Sequence, residues 1–244
     1  MRTEEHRMLR WGAICAIVAG VAFIIPLVYV FIILPAAGSS SSHALTPADF
    51  LPWMAEKGQA RVAFWWTTAL PFCIASYGAP MALKQKQRED TPVIAWVSAR
   101  AANLGLLTCG IASLALAAGE MSIAQAYVAA QAQALGEAQE VIIALSHWQR
   151  VVIAILFDFL GFFMLGIWIL GGSIAGLRAG SLPKSISWFG IVTTLLCFSF
   201  AFGYVFHIEW LGEFGIGSLA FLAVPTWLVW VGIVLWKEGN IEGA

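Results

Sequence analysis

The chain has 244 residues, 60% of them hydrophobic and 11% charged, with a mean hydropathy of +0.83. A soluble domain carries about 25% charged residues, so a water-soluble globular fold is excluded and an all-α polytopic membrane protein is expected. With 13 basic and 14 acidic residues the formal net charge is -1, which removes nucleic acid as a partner.

Apolar runs of about 20 residues or more alternate with short polar stretches, the pattern of transmembrane helices. The first span is expected over residues 11–37. Arg7 and Arg10 precede it as in a secretory leader, yet the run exceeds the roughly 7–15 residues of a leader's apolar core, so an uncleaved span is predicted. A loop over 38–61 opens with GSSSSH and continues as TPADFLPWMAEKG. Thr46 and Pro47 are predicted to start a short helix with Asp49 in its first turn, and Phe50, Trp53 and Met54 to lie on the membrane surface. The second span, 62–83, carries Pro71 and Pro80, and the third covers 93–118. Residues 119–147 are rich in Ala, Gln and Glu and lack proline. They are predicted to form two helical segments broken near Gly136, continuing the third and fourth spans outward as a hairpin. The fourth, fifth and sixth spans are expected over 151–174, 186–206 and 216–236. The expectation is thus a single domain over 1–244, a bundle of six transmembrane helices without internal repeats.

Charge sets the predicted orientation. Arg2, Arg7, Arg10, Lys84, Lys86, Arg88, Arg100, Arg178, Lys184 and Lys237 fall on one face, and only Lys57, Arg61 and Arg150 on the other. The positive-inside rule then predicts an integral protein of a cytoplasmic (inner) membrane with both termini cytoplasmic. Trp11, Trp65, Trp66, Trp148, Trp188, Trp210 and Trp236 sit near span ends, where interfacial tryptophans concentrate. The four cysteines lie within apolar runs without a CxxC pair and read as small buried hydrophobes.

The stretch LGIWILGGSIAGLRAGSLPKSISWFGIVTTLL, with the closing TWLVWVGIVLWKEG, resembles a group of six-helix bacterial membrane proteins catalogued as domain of unknown function family 4386. A helix ending in Gly-Leu-Arg, a Leu-Pro-Lys turn and a helix opening with Trp-Phe-Gly carry the likeness, over about a third of the chain. The resemblance implies architecture in a bacterial membrane and lends no reaction or ligand.

Polar residues in and beside the spans supply the site candidates. Asp158 lies about seven residues into the fourth span, roughly 10 Å deep in hydrocarbon, so it is expected to face the bundle interior. On an α-helix it falls about 20° from His147, on one face with Ala154 and Gly161. One reading is a proton or cation site reached past His147. The other is an aspartate that locks packing by hydrogen bonds to Thr108, Ser113, Thr193 or Thr194. At the outer rim His147 and His207 are expected at equal depth, with Glu120, Glu209 and Glu213 nearby, an arrangement compatible with a metal ion or a b-type haem. No HxxxH or ExxH spacing joins them, and no cofactor is the preferred expectation. Arg150 is predicted either to pair with Glu120, Glu140 or Glu209 or to snorkel to lipid phosphate. Arg100 is expected to snorkel to the cytoplasmic interface. Gly105, Gly110, Gly161, Gly166, Gly171, Gly172 and Gly176 read as close-packing positions.

No catalytic spacing emerges, so three function classes follow. The first is a non-catalytic accessory, scaffold or small-molecule-binding component of a membrane assembly, in contact with lipid and with other membrane subunits or a second copy. The second is a small proton or cation transporter or channel using Asp158. The third is a membrane redox protein with haem or metal at His147 and His207.

Overall fold

The computed structural model describes residues 2–36, 46–206, 208, 210–211 and 215–241, and among these the chain is helical with no strand. Helix α1 (Arg2–Ala22) continues through Ile24–Val28, a π-helical turn at Tyr29–Ile33 and Leu34–Ala36. Helix α2 (Pro47–Lys57) is followed at once by α3 (Gln59–Gln87), which runs through Pro71 and Pro80. Helix α4 (Pro92–Ala132) is 41 residues long and α5 (Gly136–Ala179) is 44. Helices α6 (Lys184–Val205) and α7 (Ala220–Ile241, entered through a 3₁₀ turn at Ile216–Leu219) complete the chain.

In order of contact α1, α3, α4, α5, α6 and α7 form a ring in which each helix packs on the next and α7 returns to α1. Sequential neighbours with short connections favour this arrangement over a crossed one. Small residues permit the close approaches. An added Cβ at Gly105 would meet Met164, at Gly110 Cys73, at Gly161 Cys109, at Gly166 Phe198, at Gly171 Ser98, at Gly172 Leu83 and at Gly176 Ser187. All seven glycines singled out in the sequence therefore sit at helix contacts. The interior is filled by Trp168 and Trp227, edge to face with ring centres 5.3 Å apart, and by Phe72, Phe162, Phe200, Leu106 and Leu165.

Four helices, α4, α5, α6 and the one over 216–240, are long and apolar enough to cross a membrane. About half of each such stretch is buried, and the outward half stays apolar, with Leu104, Leu107, Ile111, Ile155, Val192 and Leu195 exposed. That is the surface a helix presents to lipid rather than to water.

Helix α4 would measure about 60 Å, roughly twice the hydrocarbon thickness, so it and α5 project past the ring as a hairpin. The turn is built two residues earlier than Gly136, at Ala134. Ala134 adopts φ 55, the Ala134 amide donates to the Gln131 carbonyl at 3.1 Å, and the Leu135 amide donates to the Ala130 carbonyl at 3.0 Å. This is a Schellman ending with alanine at the left-handed position.

The opposite end is basic. Arg10 donates to the Gly239 carbonyl at 2.7 Å, Arg88 pairs with Glu5 at 2.7 Å and Lys86 pairs with Glu238. These contacts tie α1, α3 and α7 together. Gly180, at φ 63, caps α5 at this end.

Candidate functional site

Helix α2 covers the base of the hairpin. Thr46 starts it, with its hydroxyl donating to Asp49 Oδ2 at 2.6 Å and accepting from the Asp49 amide at 3.3 Å, and Pro47 fills the first turn where no amide is needed. Phe50, Leu51 and Met54 are at most 2% exposed and pack on Ala124 and Tyr127 of α4, with Ile142 and Ile143 of α5 alongside. Phe50 and Met54 were expected on the membrane surface. The same apolar face is instead buried against protein, because the projecting hairpin offers it a drier partner than the lipid interface.

Beneath Phe50 lies a charged cluster. Glu120 of α4 is 5% exposed and Arg61 of α3 is 12% exposed. Arg61 grips both carboxylate oxygens, Nε donating to Oε2 at 2.8 Å and Nη2 to Oε1 at 3.1 Å, while Trp65 Nε1 donates to Oε2 at 3.0 Å. Such a forked, charge-assisted contact is among the strongest polar contacts a protein makes. The Arg61 guanidinium carbon lies 5.3 Å from the Phe50 ring centre and 5.4 Å from that of Trp65. Arg150 of α5 approaches the same Phe50 ring to 4.4 Å. Its Nη2 is buried and has no hydrogen-bond partner among the described residues. The cleft they share, lined by Phe50, Leu51, Glu120, Ile123, Ser146, Gln149 and Arg150, is narrow and has no room for a water molecule.

The cluster is unbalanced. Among the described residues two guanidiniums face one carboxylate whose oxygens Arg61 already engages. A cation over an aromatic face gains about 0.5–2 kcal/mol. Removing a charge from water costs several kcal/mol. Phe50 therefore offsets only part of what burying the Arg150 nitrogen costs. An oxyanion would supply the missing acceptor.

The expected pairing of Arg150 with Glu120 is corrected, since Arg61 takes that carboxylate. Arg150 does not reach outward as a snorkelling side chain would, because its guanidinium lies against buried Phe50. The sequence places Arg61 only as an outer-face charge and Trp65 only as an interfacial tryptophan, and neither as a partner of Glu120. The usable signal was their i, i+4 spacing at the start of a span, which puts a donor fork and an indole N–H on one helix face.

Asp158 lies on a π-helical segment, Ala154–Gly161, within α5. A π turn advances about 80° per residue against about 100° in an α-helix, so Asp158 is rotated roughly 70° from His147, not the 20° that a regular helix gives. Accordingly His147 is exposed and Asp158 half-buried. Asp158 is engaged in an interaction, but the threonine protons expected to serve it are committed elsewhere. Thr108 donates to the Leu104 carbonyl at 2.6 Å, Thr193 to Phe189 at 2.9 Å and Thr194 to Gly190 at 3.0 Å. Ser113 is buried. Glu140 is exposed on α5. His207, Glu209 and Glu213 lie outside the described residues. Among the described residues no three His, Cys, Asp or Glu side chains gather as a metal site, and the four cysteines are thiols.

No protein-family model, curated protein or solved structure matches the chain.

Proposed function

We propose that this chain is a non-catalytic integral membrane protein that crosses the bilayer six times, with both termini on the basic, cytoplasmic side. In this reading it binds a small anionic molecule at the hairpin end as a component of a membrane assembly. Helices α1 and α3 supply the two further crossings, held in the ring by α7 and α4. The carrying observation is the buried Arg150 nitrogen without an acceptor among the described residues, beside a carboxylate already gripped by Arg61. A guanidinium fork fits a carboxylate or phosphate, and α2 provides a cover that must shift to admit it.

The test uses full-length protein in phosphate-free maltoside detergent, titrated with acetate or inorganic phosphate against chloride at equal ionic strength. Saturable thermal stabilisation is expected for wild type, weakened in Arg150→Lys and lost in Arg150→Gln. Wild-type protein that responds to neither anion beyond chloride overturns the reading.

A second reading, proton or cation movement at Asp158, is favoured by the π-helical segment around it, since such segments recur at functional positions. Flux in proteoliposomes that disappears in Asp158→Asn supports it, and absence of flux in wild type removes it.

A further inference from the structure

At the basic end, the groove between α3 and α4 encloses a cavity of about 160 Å3 lined by Met81, Lys84, Trp96, Ala99, Arg100 and Asn103. In the same measure one water needs roughly 10–15 Å3, so the space admits a headgroup phosphate with its hydration. Two cations converge on it from neighbouring helices. Their neighbours Lys86 and Arg88 are matched, by Glu238 and Glu5, whereas Lys84 and Arg100 have no carboxylate partner among the described residues. The Arg100 guanidinium carbon lies 5.6 Å from the Trp96 ring centre, and Trp96 is 51% exposed. Trp96, Arg100 and Asn103 follow i, i+4, i+7 spacing on one face of α4. Arg100 is eight residues past Pro92, about 12 Å along the helix, so if α4 starts at the outer edge of the headgroup layer Arg100 sits just inside the hydrocarbon boundary, within side-chain reach of the headgroups. Beyond it Leu104, Leu107 and Ile111 stand exposed as an apolar ridge.

A snorkelling arginine alone needs neither a cavity nor a second cation from the next helix. We propose that this groove binds the headgroup phosphate of an anionic phospholipid, held between Lys84 and Arg100, with an acyl chain lying along the Leu104–Ile111 ridge. Basic pockets between spans recognise such headgroups by charge, while Trp96 anchors the interface. This site is independent of the hairpin-end cluster.

Native mass spectrometry of the whole protein with phosphatidylglycerol and phosphatidylcholine tests it. Wild type should retain phosphatidylglycerol preferentially, and K84Q/R100Q should lose that preference by about fivefold per cation removed. The charge-matched R178Q/K184Q, altered at exposed positions of the same end, should keep it. Wild-type selectivity in K84Q/R100Q, or equal loss in R178Q/K184Q, overturns the proposal. Should K84Q/R100Q fail to fold, quenching by acyl-brominated lipids decides the matter on wild type and Trp96→Phe. The Trp96 share of fluorescence must be quenched more by the brominated glycerol lipid than by the choline lipid, and equal quenching refutes the site.

Discussion

Removing the carboxylate of Glu120 should both weaken the fold and expose the charge surplus beneath α2. Glu120 and Arg61 are 5% and 12% exposed and share a fork of 2.8 and 3.1 Å, so solvent screens them little. Breaking one side of a buried pair costs about 3–5 kcal/mol, and Glu120→Gln should fall near the lower figure because the amide keeps one acceptor for Arg61 or Trp65. In a chain of this size each kcal/mol moves the melting temperature by about 2–4 °C, giving a drop of roughly 6–12 °C. Arg61→Met should cost a similar amount, and the double variant much less than the sum, a coupling of about 2 kcal/mol. Arg150→Met behaves oppositely. It deletes a cation whose Nη2 has no acceptor, so without added anion it should be neutral or stabilising. In the Glu120→Gln background, where two guanidiniums flank Phe50 uncompensated, Arg150→Met should restore part of the loss. The assay is thermal unfolding followed by tryptophan fluorescence in maltoside. Additive single variants, or a Glu120→Gln melting point within about 2 °C of wild type, would refute the reasoning.

Ala134→Gly should stabilise the hairpin by about 0.5–1 kcal/mol, because alanine at φ 55 carries a left-handed penalty that glycine lacks; amide exchange around 130–136 reads it. Gly190→Ala should cost about 1–3 kcal/mol, since the new methyl would sit 2.6 Å from Trp227 Nε1 and against Ser173, both buried; the melting temperature reads it. Phe50→Ala should cost about 3–5 kcal/mol and open the hairpin base, seen as faster proteolysis within 46–58 while the apolar helices stay resistant.

Local signals were the legible ones. Thr46, Pro47 and Asp49 specify a helix start through backbone chemistry alone, and α2 begins there. The proline-free stretch 119–147 contains nothing to stop a helix before the turn, and α4 continues through it to Ala132. The glycines pointed to helix contacts because a missing side chain inside a span has little other use. What was hidden depends on which face meets which. Phe50, Leu51 and Met54 make the same apolar stripe whether it rests on lipid or on Ala124 and Tyr127. Arg61 and Glu120 lie 59 residues apart, so their pairing exists only once α3 and α4 are in register. The π-helical segment was the deepest miss. Nothing in AILFDFLG marks a wider turn, and a wheel drawn at about 100° per residue sets Asp158 within about 20° of His147, where the wider turn separates them by roughly 70°.

The two ends of the bundle treat positive charge differently, and the difference is energetic. At the basic end Lys84 and Arg100 line a cavity with room for water, so lacking a carboxylate costs them little, and a phosphate would add to a tolerable state. At the hairpin end the Arg150 nitrogen sits in a cleft too narrow for water, where the same lack is expensive and Phe50 offsets only part of it. Salt should therefore separate them. Lipid preference in the open groove should fade as ionic strength rises, while anion binding in the cleft should persist, because screening acts on exposed charges and far less on buried ones. If both fade together between about 0.1 and 1 M salt, the cleft is not closed to solvent in the membrane and Arg150 is an ordinary surface cation.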